Sequence, residues 1–340
     1  MSKGKKSLKK KSLKKQVKHI LKKKDNGKIK KSKKSLKKHK VKNECAPFVN
    51  DNALDDICYT EEGIIKIAKA WNKDNPNDKI KIPSTKRKLS KQIRRKLWND
   101  IQLKLKGPCN DDICVRKESF VKNNISEHDP DIDVFKPEMP KKWDKNPREW
   151  LNTLDINHVL TQYEKAYPEF IYFGAVPIDF DKKLTFGECV VNELCKINLG
   201  DLVKRGKTKI GIVFNIDPHD KPGQHWIAMY CDISGKNGNI YFWDSYGIDP
   251  PKEVMELAQK LEKQGENLDK KMKTHINSHR HQYKNTECGI YSINFIVQLL
   301  RGKSFNNVTK KIIRDDEMFS KRENYFIRNF KKDYVNSLNN

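Results

Sequence analysis

The sequence predicts an α+β fold in which a central, mainly antiparallel sheet is packed by a buried helix. Three short runs rich in β-branched and aromatic residues follow one another between turn-forming residues, at 209–216, 225–233 and 239–247. The run that follows Cys288 is apolar almost all round, which is typical of a helix that covers a sheet. Both faces of the predicted strands carry apolar residues, so we expect a layer on each side of the sheet.

Residues 1–44 form a lysine-rich segment in which KKSLKK recurs. They hold 21 Lys and two acidic residues, a net charge of +19, whereas the whole chain of 340 residues carries +27. Because so few large apolar residues cannot offset the entropy of ordering, we expect a disordered tail. We interpret it as an arm that binds nucleic acid without sequence preference, through counterion release. A solubility or import tail is the alternative.

Residues 45–136 predict a helical accessory module. Thr60 is a suitable N-cap for a helix over 60–73, and Glu61 and Glu62 suit its first turn. A second helix is predicted within 84–105, where apolar residues four apart form one stripe and Lys and Arg fill the other face, which we interpret as solvated. The stripe consists of Leu89, Ile93, Leu97, Ile101 and Leu105.

The eight cysteines are expected to be free thiols. The N-terminus has no apolar core of a signal peptide, which favours a reducing compartment over a disulfide framework. Structural zinc on Cys58, Cys109 and Cys114 is an alternative, but no fourth ligand is obvious. No apolar stretch approaches the roughly 18–20 residues that cross a bilayer.

Residues 137–340 predict the second and larger domain. Residues 128–147 are rich in proline and charge and are typical of a linker or a wrapping loop. A helix is predicted around 156–163 and ends before Pro168. The three strands and the apolar helix follow.

Four polar residues stand where strands and the apolar helix begin or end. Cys288 heads the helix, and both a helix N-terminus and a neighbouring imidazolium lower the pKa of a thiol. His225 opens one predicted strand and Asp244 closes the next, so antiparallel pairing places them at the same end of the sheet. Gln282 and the N–H of Cys288 are possible donors to an oxyanion. Each residue alone has an ordinary explanation, but the ordered set predicts nucleophilic catalysis by a cysteine, a histidine and an acid.

Other histidines suggest less. His275, His279 and His281 form an HxxxHxH string, but no cysteine or carboxylate joins them in a pattern typical of a metal site. His219 is interpreted as a loop residue. We therefore expect no metal and no other cofactor.

The motifs resemble those of a known group of enzymes. His225-Trp226, Asp244-Ser245, Gln282 and the string ECGIY around Cys288 resemble the cysteine proteases that process SUMO-like proteins and the adenovirus-type maturation proteases. They are similar, more closely, to thiol proteases of large cytoplasmic DNA viruses, over about residues 145–305. The resemblance implies a papain-like fold of that type.

The resemblance also implies a role for each matching residue. Cys288 is the implied nucleophile, His225 the general base and acid, Asp244 the orienting acid and Gln282 the oxyanion donor. Trp226 is implied to shape the substrate channel beside the site.

The function that the resemblance implies is cleavage of viral structural polyprotein precursors near glycine during virion maturation. The implied locations are the virion and, during assembly, the host cytoplasm. The partners would be these protein substrates and, through the tail, nucleic acid. One alternative is an isopeptidase that removes SUMO or ubiquitin-like proteins from host proteins. Another is a basic nucleic-acid-binding virion protein with an inactive protease fold.

Overall fold

A five-stranded sheet lies at the centre of the computed structural model, which describes residues 44–49, 57–84, 88–105, 109 and 112–327. Apart from Glu44, the predicted tail lies outside these residues. The strands follow the order β1-β2-β3-β4-β5 across the sheet. They are β1 (Phe170–Pro177), β2 (Lys209–Asn215), β3 (Trp226–Asp232), β4 (Gly238–Trp243) and β5 (Met272–Ile276).

The predicted α+β class is confirmed, and the three predicted strands correspond to β2, β3 and β4. These three pair antiparallel, as expected. The two edge strands were not predicted, and both of them pair parallel, so the complete sheet is mixed. The edge strand β5 is half-buried to exposed and charged, so it lacks the apolar signal of a buried strand.

Helices cover both faces of the sheet, as the sequence predicted. Along β3, Trp226, Ala228 and Tyr230 belong to one apolar core, and the alternate residues belong to the other. The first core is shared with α9 (Cys288–Leu300), in which every residue except Gln298 is buried. The second core is shared with α8 (Lys252–Glu266).

The remaining helices lie before β1, between β1 and β2, or after α9. In chain order they are α1 (Glu61–Asp74), α2 (Lys91–Lys104), α3 (Asp112–Lys117), α4 (Ser119–Asn124), a 3₁₀ helix (Lys141–Asp144), α5 (Thr153–Ala166), α6 (Asn192–Cys195), α7 (Leu199–Lys204), α10 (Phe305–Lys310), α11 (Asp315–Ser320) and α12 (Arg322–Tyr325).

Helices α1 to α4 pack around a core of their own in the N-terminal segment. Thr60 caps α1 as predicted, since its side chain accepts a hydrogen bond from the N–H of Gly63. The predicted stripe on α2 is wrong at Ile93, which is 43% exposed, while Trp98 and Arg94 are buried. The buried face of α2 is therefore rotated from the face that apolar residues spaced strictly four apart would mark.

The segment 128–147 wraps along the neighbouring elements. Its backbone pairs with the residues that follow the tail, through an isolated bridge between Cys45 and Phe135. A second bridge joins Glu138 to Ile327, near the end of the described chain. Gln162 on α5 donates to the carbonyl of Phe135, so a buried hydrogen bond joins this segment to α5.

The expectation of free thiols is wrong for six of the eight cysteines, because the structure has three disulfides. They join Cys45 to Cys58, Cys109 to Cys114 and Cys189 to Cys195. Their Cα atoms lie 5.2, 5.2 and 6.3 Å apart, within the range that a disulfide spans. The composition of the N-terminus bears on the compartment and carries no information on the distances between cysteines. Cys58 therefore does not join Cys109 and Cys114 in a zinc site.

Within the described residues, no helix is both long enough and apolar enough to cross a membrane.

Candidate active site

His225 and Asp244 meet at one end of the sheet. His225 immediately precedes β3, and Asp244 immediately follows β4, its antiparallel neighbour. The His225 Nε2 atom lies 3.1 Å from the Asp244 Oδ1 atom, and both residues are buried. This contact leaves Nδ1 of the imidazole as the nitrogen that can face a third group.

The pKa of His225 reflects two opposing effects. Burial by itself lowers it, but hydrogen bonds to Asp244 and Cys288, together with their negative charges, raise the pKa from 6.5 to about 9. The imidazole is therefore protonated at neutral pH. An imidazolium at this position carries a proton that a general acid can donate.

Cys288 is the first residue of α9 and is 2% exposed. Its N–H belongs to the first turn, where a helix leaves amide groups without intrahelical partners. Cys231 is the other free cysteine, but it lies within β3, and burial raises the pKa of its thiol far above the usual range. Of these two thiols, only that of Cys288 lies beside a histidine that bonds to an acid.

Gln282 lies in the loop that precedes α9 and is fully buried. Its Oε1 atom accepts a hydrogen bond of 2.6 Å from the hydroxyl of Ser245. Among the residues that the structure describes, its Nε2 atom has no hydrogen-bond partner. A buried amide donor without a partner is costly unless a ligand uses it.

Trp226, the first residue of β3, is 6% exposed, and its indole N–H donates to the carbonyl of Leu151. Trp226 therefore belongs to the apolar core that α9 shares with β3.

His219, His275 and His281, which the structure describes, bond to different partners. His281 is buried, and both ring nitrogens bond to backbone groups: Nδ1 accepts from Ile313 N–H, and Nε2 lies 2.9 Å from the carbonyl of Thr309. His275 bonds to Asn239, and His219 bonds to Asp179. In the described part of the chain, the cluster that could hold a metal by its donor atoms is Cys109, Cys114 and Glu118, where the two sulfurs already form a disulfide.

Three contacts at the site were not found from the sequence. The ring of Tyr246 lies 4.9 Å from the imidazole of His225, centroid to centroid. Ser245 bonds to Gln282, as described above. Glu287, directly before Cys288, pairs with Arg322. No sequence pattern indicated this last pair, because the partners are 35 residues apart and belong to different elements.

The Glu287–Arg322 ion pair supports the start of α9 from the buried side. The Nε atom of Arg322 donates to Glu287 Oε2 over 2.9 Å, and the exposed fractions of the two residues are 2% and 0%. Arg322 also donates to the carbonyls of Pro147 and Glu149, and its guanidinium lies 4.1 Å from the ring centroid of Trp143. Through Arg322, the first residue of α12, the ion pair joins Glu287 to the backbone of residues 147–149, which precede α5.

A thiol at a helix N-terminus, a histidine bonded to an acid, and an unpartnered amide define a class of site. This arrangement can carry out acyl transfer through a thioester, which is the chemistry of cysteine peptidases.

Comparison with known proteins leads to the same class. Residues 207–333 match the Ulp1 protease family, C-terminal catalytic domain. A protein of Acanthamoeba polyphaga mimivirus, provisionally named a thiol protease, is 33% identical over 305 residues, which cover 84% of this chain and 93% of the relative. A cysteine protease of African swine fever virus is 26% identical over 250 residues, which cover 70% of this chain and 90% of the relative. In another isolate, the corresponding relative is named a SUMO-1 cysteine protease.

The crystal structure of the African swine fever virus protease has a similar fold. It superposes with a TM-score of 0.57 at 22% sequence identity, covering 84% of this chain and 96% of that structure. The chain belongs to the Ulp1 protease family, and it is a cysteine-type peptidase whose relatives include proteins of large DNA viruses.

The first prediction concerns pH. His225 must carry a proton to protonate a leaving amine, so we expect kcat/KM to fall as pH rises through about 9. In Asp244→Asn the carboxylate charge that raises this pKa is lost, so the fall is expected to begin at lower pH. The measurement is kcat/KM from about pH 6 to about pH 10.5.

Asp249→Asn is the control for this prediction, because it removes an exposed carboxylate from the same loop. Its alkaline limb should coincide with that of the wild type. If the alkaline limb of the kcat/KM profile of Asp244→Asn also coincided with that of the wild type, the account would be contradicted.

The raised pKa of His225 also affects stability. Its contribution to the free energy of unfolding is complete below pH 6.5 and is lost as pH rises through about 9.

The second prediction concerns Arg322. Arg322→Met leaves the Glu287 carboxylate buried without its main partner, so we expect the free energy of unfolding to fall by about 3–5 kcal/mol. Arg148→Met is the matched control, since Arg148 contacts the same carboxylate from a half-exposed position and should contribute less than about 1 kcal/mol. Urea denaturation measures both changes. Equal losses in the two variants would show that the buried pair has no special role.

Proposed function

We propose that this peptidase is an endopeptidase that cleaves viral structural polyprotein precursors near glycine during virion maturation. The observation that carries the catalytic part is the contact of His225 with Asp244 on one side and with Cys288 on the other. The viral relatives support the setting. The proposed locations are the virion and, during assembly, the host cytoplasm.

The proposed mechanism uses four side chains in two half-reactions. The Cys288 sulfur attacks the scissile carbonyl, and the negative charge that develops on its oxygen is held by Gln282 Nε2 and the Cys288 N–H. His225 donates its proton to the leaving amine as the C–N bond breaks, which leaves a thioester. His225 then takes a proton from water, water attacks the thioester, and the acid product and the thiolate separate. Asp244 keeps the imidazole oriented throughout.

We propose that a narrow channel beside Trp226 gives the enzyme its preference for glycine. A buried indole fixed by a hydrogen bond to Leu151 cannot move aside for a branched side chain. Residues without a side chain can pass such a wall and bring their carbonyl to the sulfur.

An isopeptidase acting on SUMO or ubiquitin-like conjugates is the alternative, and the name of one viral relative favours it. Both substrates present a glycine carbonyl to the same thiol, so chemistry does not separate them. The difference lies in the leaving group: a backbone amine within a precursor or the side-chain amine of a conjugated lysine.

Cleavage of candidate precursors tests the proposal. Purified enzyme is expected to release discrete fragments from viral structural precursors, with new ends next to glycine, and Cys288→Ala is expected to release none because the nucleophile is absent. Mass spectrometry identifies the cleavage sites. Cys231→Ala is the control, since that thiol is buried within β3, and it should retain activity.

SUMO and ubiquitin conjugates are incubated in parallel. Cleavage of conjugates without cleavage of precursors would favour the isopeptidase, and the absence of cleavage of either would contradict both functions.

We also propose that the lysine-rich tail binds nucleic acid and keeps the enzyme where its precursors are packaged. The support is its net charge of +19 over residues 1–44, which is typical of polyanion binding.

Deletion of residues 1–43 tests this proposal and leaves the backbone contact of Glu44 with Lys136 intact. The truncated enzyme is expected to bind duplex DNA more weakly and with a shallower salt dependence, since log K changes by about −0.9 per phosphate contact with log salt concentration. Hydrolysis of a short peptide should be unchanged and serves as the control. Equal DNA affinity and equal salt slopes with and without residues 1–43 would overturn the proposal.

A further inference from the structure

Ser245 bonds to Gln282 through both its side chain and its backbone. The Ser245 hydroxyl donates to Gln282 Oε1 over 2.6 Å, and both residues are fully buried. The carbonyl of Ser245 accepts hydrogen bonds from the N–H groups of His281 and Gln282, at 2.8 and 2.9 Å. The backbone contacts place the loop against β4, whereas the hydroxyl acts on the carboxamide alone.

The two ends of a carboxamide have opposite hydrogen-bonding character. Only the nitrogen donates, so Gln282 can stabilise an oxyanion in one orientation, and the flipped orientation would present an acceptor oxygen to the negative charge. A hydroxyl that donates to Oε1 favours the orientation in which Nε2 is directed away from Ser245. In the described residues, that Nε2 is buried without a hydrogen-bond partner.

We propose that Ser245 is a positioning residue that fixes the carboxamide of Gln282 with its nitrogen toward the oxyanion. This inference rests on the proposed role of Gln282 as oxyanion donor. Ser245 itself touches no reacting atom in this scheme. Its hydroxyl acts by excluding the orientation in which Gln282 would repel the tetrahedral intermediate.

Two parts of the site are then oriented by neighbouring residues at the end of one strand. Asp244 and Ser245 are neighbours at the end of β4, and the first orients His225 while the second orients Gln282. The dipeptide is itself fixed, because Asp244 Oδ1 accepts from the N–H of Tyr246 and the Asp244 carbonyl accepts from Asn277. The general base and the oxyanion donor are thus aligned from a single strand end.

The test compares Ser245→Ala with Gln282→Ala and with the double variant, using a peptide substrate with glycine at the cut. Gln282→Ala is expected to lower kcat by about 10²–10³-fold, since one oxyanion donor is lost. Ser245→Ala is expected to lower kcat by about 10-fold with less than about a twofold change in KM, because the amide then samples both orientations. In the Gln282→Ala background, Ser245→Ala is expected to cause no further loss.

A second measurement does not depend on turnover. A peptide aldehyde forms a tetrahedral adduct with Cys288 whose oxygen occupies the same place, so its affinity should fall by about the same factor as kcat/KM in Ser245→Ala. Ser245→Cys replaces the hydroxyl with a larger and weaker donor and should give an intermediate loss. If Ser245→Ala does not fold, the comparison of Ser245→Cys with wild type decides the matter.

Ser292→Ala is the matched control, because it removes another fully buried hydroxyl, one that donates to the carbonyl of Trp226. It should change stability without changing the affinity for the aldehyde. Loss of activity in Gln282→Ala with full activity in Ser245→Ala, or equal losses from Ser245→Ala in both backgrounds, would overturn the role of Ser245 and leave the proposed function intact. Full activity in Gln282→Ala would instead overturn the proposed oxyanion donor.

Discussion

The contact between His225 and Asp244 is the interaction on which the site depends, and the antiparallel pairing of β3 with β4 creates it. The pairing brings the start of one strand beside the end of the next, so two residues 19 apart in sequence meet at 3.1 Å. Buried acid and imidazole then hold each other in place. A shift of one residue in this register would turn Asp244 to the opposite face of the sheet and separate them.

The same end of the sheet collects the rest of the site. α9 packs across β3 and brings the thiol of Cys288 to the free side of the imidazole. The loop before α9 places Gln282 at the end of β4, where the Ser245 hydroxyl donates to its side chain. Glu287, directly before Cys288, forms a buried ion pair with Arg322 on α12, the last described helix. Residues far apart in the chain therefore fix the start of α9.

Local patterns in the sequence predicted the central part of this structure well. The three strands, the buried helix and the helix around 156–163 each have a periodicity or composition that reports burial directly. The positions of His225 and Asp244 on the ends of neighbouring strands were sufficient to predict the contact between them.

Features that depend on distant partners were not predictable. β5 is a half-buried edge strand that is defined by its pairing with β4, and the buried Arg322 has its acidic partner, Glu287, 35 residues away. Ile93 fits an apolar stripe but is exposed, since the packing of α2 selects a different face. The three disulfides follow from Cα distances that the fold sets, and the compartment predicted from the sequence gives no information on those distances.

Covalent labelling tests the central claim most directly. The full chain is treated with a peptide that ends in glycine and carries a thiol-reactive electrophile, and intact-protein and peptide mass spectrometry locate the adduct. The account predicts one adduct, on Cys288, that is absent in Cys288→Ala and forms far more slowly in His225→Ala. Labelling of Cys231, or an unchanged rate in His225→Ala, would contradict it.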